Sequence, residues 1–506
     1  MKEQFNKKQI LSFILYMLLV FIVLLLTVSC MWAKENYGSI GMDEIVFHLN
    51  MPLQGTSQSL LDSYKMNALL PTIVVFVLLT SVLCAIAKGL GPMLMRYKQT
   101  YLVGSLLLVV WIGGLLTEAD QQFALKKYVL AQIQQSNYIG THYVDPDEVS
   151  ILFPEQKRNL ITIYVESAET SLQDQSNGGL FAENYIPELS ALAKEHVSFS
   201  HSTLLEGAAV GPASGWTIAG MVAETSGLPL KLYKYDVTVD NSMRYYDAFM
   251  PGATTLGDIL EDAGYHNVFL AGSDFVFGGR TNYFTQHGNY EILDYYAAKE
   301  QKYIPSWYYV WWGFEDKYLF EIAKDQLATL SASEQPFHLS MLTVDTHHED
   351  GWVCDLCKAE YGDNQYANVW RCASRQISAF VAWVQEQDFY ENTTIVIVGD
   401  HCSMDTDFYS DYESGKHTGG VERKVYNAFI NAPVTPVAEE NRLFTTMDFF
   451  PTTLAAIGVQ IEGDRLGLGT NLFSSEKTLA EQDGYEVLFE ELNKKSMFYN
   501  QEILYP

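Results

Sequence analysis

Residues 159–166 read NLITIYVE, an apolar and largely β-branched run that ends in the carboxylate of Glu166. Three other stretches show the same pattern of an apolar run followed by acidic or imidazole side chains: residues 266–272 (HNVFLAG) before Ser273-Asp274, residues 337–344 (FHLSMLTV) before Asp345-Thr346-His347-His348, and residues 393–399 (TTIVIVG) before Asp400-His401. Such runs are typical of parallel strands buried on both faces. Ligands bind outside the carboxyl ends of such strands. The pattern therefore predicts an α/β domain with its functional residues at one edge of the sheet.

A hydroxyl joins this set at a fifth position. Residues 211–217 (GPASGWT) precede an apolar stretch that predicts a helix, and they carry Ser214. Acids and histidines beside a hydroxyl indicate a metal site that activates a nucleophile, as in an enzyme.

The first quarter of the chain predicts a membrane region. Residues 10–30, 68–87 and 101–117 are apolar and uncharged, and the first two reach the ~20 residues that cross a bilayer. The first run is longer than the apolar core of a cleaved signal peptide. Lys7 and Lys8 precede the first span, and Lys88 and Lys98 lie between the second and third. The positive-inside rule therefore predicts a multi-pass membrane protein whose remaining domain is extracytoplasmic.

Charge and composition exclude some partners. The net charge of −29 argues against nucleic-acid binding, which needs clusters of Lys and Arg. Any phosphate-bearing substrate must then be held locally, by a metal or by one or two arginines. We expect a membrane domain over residues 1–118, a juxtamembrane helix and linker over 119–157, and a catalytic domain over 158–506, with a polar, peripheral tail from Ser474. The oligomeric state stays open.

Four motifs carry a resemblance to a known family. The segment SGWTIAGMV begins at Ser214, VES begins at Val165, VDTHHEDG begins at Val344 and VGDH begins at Val398. Together they resemble lipoteichoic acid synthases and other membrane phosphoglycerol transferases of the alkaline phosphatase/sulfatase superfamily. The resemblance covers residues 144–473 and implies a mostly parallel sheet flanked by helices, here preceded by three transmembrane helices.

The resemblance also implies roles for the residues at the predicted edge. The family nucleophile is a threonine three residues before a second hydroxyl, and alignment on WTIAGM gives Ser214, with Thr217 as the alternative. An ordinary helix cap is the other interpretation of Ser214. Glu166, Asp400 and His401 match the metal ligands, with the Ser214 oxygen completing the shell. Oxygen ligands with one imidazole suit Mn²⁺ best, and Mg²⁺ as an alternative.

Three further residues are implied to contact the substrate. His347 matches the histidine that donates a proton to the leaving alcohol and binds the transferred group. Its neighbour His348 is the less favoured candidate for this role. Arg280, in the sequence FGGR, matches the arginine that grips the phosphate, although an ordinary surface arginine remains the alternative. Asp274 is expected to contact glycerol hydroxyls, or else to be a simple strand-end aspartate. The family often has a tryptophan before this arginine, where this chain has glycines.

The function implied is a metal-dependent transfer of phosphoglycerol from phosphatidylglycerol to a glycan or teichoic-acid-type acceptor, through a Ser-linked intermediate. Phosphoethanolamine transfer is the first alternative. A sulfatase or phosphatase is less favoured because a CxPSR-type motif is absent from the sequence. A catalytically silent envelope scaffold is the third alternative.

Cysteines and aromatic residues leave two questions open. A disulfide that involves Cys372 is favoured over a zinc site at Cys354-Asp-Leu-Cys357, and Cys402 could also take part. The cluster WYYVWW, residues 307–312, is expected to pack in the core or at an interface, with a substrate groove as the alternative.

Overall fold

The computed structural model describes residues 7–37, 40–50, 56, 58–94, 98–231, 249–405, 407–409 and 423–506. Its contacts divide the chain into two compact units. The first comprises Met1–Met42 and Thr56–Val129, and the second comprises Asp43–Gly55 and Leu130–Pro506. A short segment between the first two apolar helices therefore folds with the large C-terminal unit.

The main helices, in chain order, are α1 (Lys7–Tyr37), α2 (Met42–Asn50), α3 (Gln58–Tyr64), α4 (Leu70–Leu94), α5 (Lys98–Phe123), α6 (Leu125–Ile133), α7 (Tyr138–His142), α8 (Pro187–Glu195), α9 (Thr217–Ser226), α10 (Leu256–Asp262), α11 (Arg280–Gln286), α12 (Tyr295–Glu300), α13 (Asp316–Leu330), α14 (Gln365–Gln385), α15 (Phe449–Ala456) and α16 (Leu479–Asn493). The strands are β1 (Ile151–Leu152), β2 (Asn159–Val165), β3 (His266–Ala271), β4 (Glu291–Leu293), β5 (Phe337–Leu342), β6 (Thr393–Gly399), β7 (Asn427–Ile430), β8 (Gln460–Ile461), β9 (Arg465–Leu466) and β10 (Gly469–Thr470).

The first unit contains three helical stretches that are long and apolar enough to cross a membrane: Leu11–Tyr37, Gln58–Leu83 and Leu102–Phe123. Many of their leucine and valine side chains are exposed, as expected where lipid replaces water as the solvent. A π-helical turn, Lys65–Leu69, joins α3 to α4 and makes the second stretch continuous. The prediction of three membrane helices is confirmed.

The second unit is built on a six-stranded sheet with the order β4-β3-β5-β2-β6-β7. All neighbouring pairs are parallel except β6 and β7, which are antiparallel. Strand β2 is near the centre, paired with β5 on one side and with β6 on the other. The carboxyl ends of β2, β3, β5 and β6 consequently share one edge of the sheet. This mixed, mostly parallel α/β fold agrees with the sequence prediction.

Alternate residues of β2 point into two hydrophobic cores, one on each face of the sheet. Leu160 and Tyr164 belong to the core formed with helices α9, α10, α11 and α15. Ile161, Ile163 and Val165 belong to the core formed with α8, α13 and α14. Burial on both faces explains why this strand is apolar almost throughout.

The C-terminal tail differs from the sequence prediction. The segment after Ser474 was expected to be peripheral, but α16 buries Leu479, Leu488 and Leu492 in the first of the two cores. A capping box at Thr478 begins this helix, since its side chain accepts from the backbone N–H of Glu481. The apolar residues of the tail are widely spaced among acidic residues. The average composition of the tail is therefore polar, although one face of the helix is apolar and buried.

Candidate active site

Three predicted metal ligands meet at the carboxyl edge of the sheet. Glu166 follows β2, and Asp400 and His401 follow β6. One ligand atom of each lies within 4.8 Å of the others. His401 Nε2 is 3.3 Å from Glu166 Oε1 and 3.5 Å from Asp400 Oδ2. All three side chains are almost completely buried. The structure thus brings together two carboxylates and one imidazole in a compact group.

The hydroxyl of Thr217 contacts this group. Its Oγ1 lies 3.4 Å from Glu166 Oε2 and 3.4 Å from His401 Nε2. Thr217 is the first residue of α9, where free backbone N–H groups and the helix dipole favour a bound anion. The Thr217 residue as a whole is half-buried.

Helix α9 reaches the carboxylates because Gly220 lacks a side chain. A Cβ at this position would lie 2.0 Å from the backbone oxygen of Asp400, a distance that no other residue could tolerate. Gly220 is three residues after Thr217, and residues with this spacing lie on the same helical face. The contact between Gly220 and Asp400 therefore places Thr217 beside the acids.

Ser214 has a different position from the one predicted. It is fully buried, and its hydroxyl donates a long hydrogen bond, 3.5 Å, to the carbonyl oxygen of Pro212. Ser214 also lies before the helix, since Trp216 is the cap residue and has an extended backbone. The hydroxyl that contacts Glu166 and His401 is that of Thr217, three residues later.

The surrounding hydrogen bonds orient the three ligands. Asp400 Oδ1 accepts from the backbone N–H groups of Ser167 at 2.8 Å and of His401 at 2.9 Å. The other oxygen, Oδ2, is buried and has no hydrogen-bond partner among the residues that the structure describes. His401 Nδ1 is 2.8 Å from the carbonyl oxygen of Cys402, which can only accept. The Nδ1 atom therefore carries a proton, and Nε2 faces the carboxylates.

Burial and mutual charge shift the pKa values of this group. Burial disfavours a charge on His401, but Asp400 and Glu166 outweigh it and raise the pKa of His401 to about 10. Burial and the charge of Glu166 raise the pKa of Asp400 to about 7. Burial alone would raise the pKa of Glu166, yet His401 and His347 hold it below its ordinary range. The protonated imidazole of His401 thus balances the negative charge of Glu166 and Asp400. A bound metal cation could balance the same charge.

This donor set fits a divalent cation. Two carboxylates, one imidazole nitrogen and a hydroxyl offer the hard oxygen and borderline nitrogen ligands that Mg²⁺, Mn²⁺ and related ions accept. The unpartnered Asp400 Oδ2 is a buried oxygen that a cation would satisfy.

Arg280 supplies a buried positive charge nearby. It begins α11 after Gly278 and Gly279, which both adopt positive φ angles (70° and 78°) that favour glycine. Its guanidinium donates to Ser273 Oγ at 3.1 Å and to the carbonyl oxygen of Asp274 at 2.8 Å. Burial lowers the pKa of Arg280 to about 10, so it stays charged at neutral pH.

No carboxylate lies within ion-pair distance of Arg280 in the described part of the chain. Its guanidinium packs on the rings of Phe275 and Phe277, at 5.2 Å and 5.8 Å. A buried arginine without a carboxylate partner indicates an anionic ligand, because an uncompensated buried charge is costly.

His347 is half-buried after β5. Its Nδ1 lies 2.6 Å from the carbonyl oxygen of His348, so Nε2 is the nitrogen left for a substrate. Burial lowers the pKa of His347, and the charge of Glu166 opposes that effect. The ring of Trp312 packs on His347 at 4.6 Å. One member of the aromatic cluster at residues 307–312 therefore lies in the site, whereas Trp307 is 80% exposed.

Asp274 is buried at the end of β3, and its Oδ1 accepts from the backbone N–H of Val276 at 3.0 Å. That bond is typical of an aspartate that stabilises a turn. The loop that it stabilises carries the backbone oxygen that holds Arg280.

A family model described as Sulfatase matches residues 158–459, which include every one of these side chains. The chain belongs to the sulfatase family. The curated relatives include the phosphoglycerol transferase I of Xanthomonas axonopodis pv. citri (strain 306), 32% identical over 327 residues, which are 63% of this chain and 43% of that protein. The protein of the same name from Salmonella choleraesuis (strain SC-B67) is 32% identical over 333 residues, 64% of this chain and 41% of that protein.

The sulfatase-family chain therefore spans less than half of the length of these curated relatives. Among solved structures, the lipoteichoic acid synthase LtaP from Listeria monocytogenes is 16% identical. That comparison has a TM-score of 0.49 and covers 67% of this chain and 80% of LtaP.

An ion pair between Glu169 and Arg423, which the sequence does not predict, stabilises the sulfatase-family site. Glu169, fully buried three residues after Glu166, accepts from Arg423 Nε at 2.7 Å and from Arg423 Nη2 at 2.6 Å. Its Oε1 also accepts from the backbone N–H of Ser403 at 2.9 Å, two residues after His401. The pair therefore ties the segment after β2 to the segment that carries His401.

We expect Glu169→Gln to destabilise the second unit strongly. Breaking a buried charge pair on one side costs about 3–5 kcal/mol, which corresponds to a melting temperature roughly 5–15 °C lower. The matched control is Glu188→Gln, which breaks the more exposed pair with Arg371. Scanning fluorimetry of the purified full chain measures both. A decrease no larger than that of the control would contradict the structural role of Glu169.

The cysteines form a disulfide rather than a metal site. Cys357 and Cys372 are bonded, and Cys354 is a free thiol whose sulfur lies 3.6 Å from that of Cys357. Cys402 is also free. The prediction of a disulfide that involves Cys372 is confirmed, and Cys357 is its partner.

Proposed function

We propose that this chain is a membrane-anchored, metal-dependent phosphoglycerol transferase that uses Thr217 as its nucleophile. The observation that carries the proposal is the position of the Thr217 hydroxyl, 3.4 Å from both Glu166 and His401, at the start of a helix. Thr217 is half-buried, whereas Ser214 is fully buried.

Two further findings support phosphoglycerol as the transferred group. The curated relatives at 32% identity are named phosphoglycerol transferase I. Three apolar helices precede the catalytic unit and anchor it to a membrane, where a phospholipid donor resides. The lysines that flank those helices favour an extracytoplasmic catalytic unit. Phosphatidylglycerol is the donor that combines a membrane location with a glycerol phosphate head group.

Glu166, Asp400, His401 and Thr217 would hold the cation, for which we propose Mn²⁺, with Mg²⁺ as the alternative. The bound cation would lower the pKa of the Thr217 hydroxyl and stabilise negative charge on the phosphoryl oxygens. His401 would use Nε2, since its Nδ1 donates to the Cys402 carbonyl.

In the first half-reaction, Thr217 loses its proton to solvent and its oxygen forms a bond to the donor phosphorus. The bond from phosphorus to the diacylglycerol oxygen breaks, and protonated His347 delivers a proton to that oxygen from Nε2. Arg280 binds the phosphodiester. The negative charge of the bound phosphodiester raises the pKa of the neighbouring His347 towards 7. Diacylglycerol leaves, and phosphoglycerol remains on Thr217.

In the second half-reaction, an acceptor hydroxyl attacks the same phosphorus. His347, now neutral, removes the acceptor proton, and the bond from phosphorus to Thr217 breaks. The departing Thr217 oxygen takes a proton from solvent, which replaces the one lost in the first half-reaction, and His347 keeps the acceptor proton for the next leaving group. We propose a glycan or teichoic-acid-type polymer as the acceptor, and Asp274 as a contact of the glycerol hydroxyls. A covalent intermediate of this kind predicts ping-pong kinetics.

The purified full chain, assayed in vesicles that contain one labelled phospholipid at a time, tests the donor. We expect release of labelled diacylglycerol from phosphatidylglycerol in the presence of Mn²⁺, and little release from phosphatidylethanolamine. Faster turnover of phosphatidylethanolamine would favour the phosphoethanolamine transferase alternative. Inactivity toward every phospholipid with every divalent cation would favour a silent scaffold.

A further inference from the structure

Helix α2 lies between the first two membrane helices in the chain, yet its residues from Asp43 to Asn50 fold with the second unit. Two contacts fix it beside the start of α9. The backbone N–H of Ala213 donates to Asp43 Oδ2 at 3.2 Å. The ring of Phe47, only 2% exposed, packs on Trp216 at 5.0 Å, immediately before Thr217. The buried phenyl ring thus anchors α2 against the segment that positions the proposed nucleophile.

His48 continues this contact towards the substrate-binding side chains. Its ring stacks on Phe277 at 6.3 Å, and Phe277 also contacts the guanidinium of Arg280 and the ring of Trp312. Trp312 in turn packs on His347. Burial lowers the pKa of His48, and the nearby charges of His347 and His401 lower it further.

The imidazole of His48 can still accept or donate a hydrogen bond to a ligand. The side chain of His48 is 41% exposed, and neither ring nitrogen has a hydrogen bond among the described residues. Glu44, one turn earlier, is 6% exposed, and its carboxyl lies 3.8 Å from His48 Nε2. The imidazole of His48 lies on the ring of Phe277 and is partly exposed to solvent. It is therefore available to a ligand that is bound by Arg280.

We propose that α2 forms one wall of the substrate site and that His48, oriented by Glu44, hydrogen-bonds the hydroxyl groups of the donor head group. The ligand class is a phosphodiester with a polyol substituent. This inference rests on the proposed function, since it names a further contact of the same donor. It also means that residues 43–50, which precede the second membrane helix, complete a site otherwise built from residues 158–459.

The test compares two lipid donors with the full-length chain. Phosphatidylglycerol carries two head-group hydroxyls, and phosphatidylethanol is a similar anionic phosphodiester with none. We expect His48→Ala to raise the KM for phosphatidylglycerol about 3- to 10-fold, the equivalent of one hydrogen bond to a neutral group, and to leave the KM for phosphatidylethanol unchanged. His48→Asn should retain part of the selectivity because its amide can also form hydrogen bonds.

The matched control is Leu49→Ala, which truncates the next side chain on the same helix, one that is 78% exposed. It should leave both KM values unchanged. An equal effect of His48→Ala on the two donors, or no effect on either, would overturn the proposal. A wild-type chain that releases no diacylglycerol from phosphatidylglycerol would instead overturn the proposed function on which the inference rests. Phe47→Ala tests the anchor and should weaken turnover of both donors.

Discussion

Replacement of Thr217 by alanine should reduce diacylglycerol release from phosphatidylglycerol by at least about 10⁴-fold, as expected when a nucleophile is removed. The reason is geometric, since the Thr217 hydroxyl is the one that contacts Glu166 and His401. Thr217→Ser keeps a hydroxyl at the same position and should retain measurable activity. Initial rates with labelled donor in vesicles provide the measurement.

Ser214→Ala is the matched control, because it removes a hydroxyl three residues away in the same motif. Ser214 is fully buried, and within the described part of the chain its hydroxyl has one long hydrogen bond, to the carbonyl oxygen of Pro212, so we expect activity within about tenfold of the wild type. Loss of activity in the Ser214 variant with retention in the Thr217 variant would reverse the assignment.

Removal of the divalent cation should have the second largest effect. Chelation should abolish turnover and lower the melting temperature, because a cation that binds only the folded chain stabilises it. Asp400→Asn should reduce turnover at least about 100-fold at moderate cation concentrations, since it replaces an anionic ligand by a neutral one. Asp355→Asn, at an exposed carboxylate paired with Lys317, is the control and should have no such effect. Undiminished turnover after exhaustive chelation would contradict a metal-dependent reaction.

Cation affinity should also depend on pH in a defined direction. Without a cation the pKa of His401 is raised to about 10, so the imidazole is protonated at neutral pH and must lose that proton to bind. Affinity should therefore increase with pH, about tenfold per pH unit for each proton released. The dependence should steepen below about pH 7, where Asp400, with its pKa raised to about 7, is protonated as well. Calorimetry in buffers of different ionisation enthalpy measures the released protons.

The central strands and the buried group of Glu166, Asp400 and His401 were predictable because their signals are local. Strands β2 and β6 match the predicted runs at both ends, since burial on two faces requires uninterrupted apolar residues. Glu166, Asp400 and His401 follow those strands directly, so parallel topology alone brings them to one edge. Strands β3 and β5 end one and two residues earlier than predicted, where the chain turns towards the site.

Which hydroxyl of the SGWT segment contacts Glu166 and His401 depends on a detail that the motif does not encode. Ser214 and Thr217 are both hydroxyls in SGWT, and either could begin a helix by composition. The extended backbone of Trp216 starts the helix at Thr217, and the contact of Gly220 with Asp400 sets its rotation. Contacts between segments distant in sequence, such as Glu169 with Arg423 or Phe47 with Trp216, have no local signal at all.

The most direct test of the central claim is to trap the covalent intermediate. The full chain would be incubated with phosphatidylglycerol and Mn²⁺ without acceptor, quenched in acid, digested and mapped by mass spectrometry. We expect one glycerophosphoryl group on Thr217, which should be absent when the donor or the cation is omitted. A glycerophosphoryl group on Ser214, or full diacylglycerol release without any adduct on the chain, would contradict it.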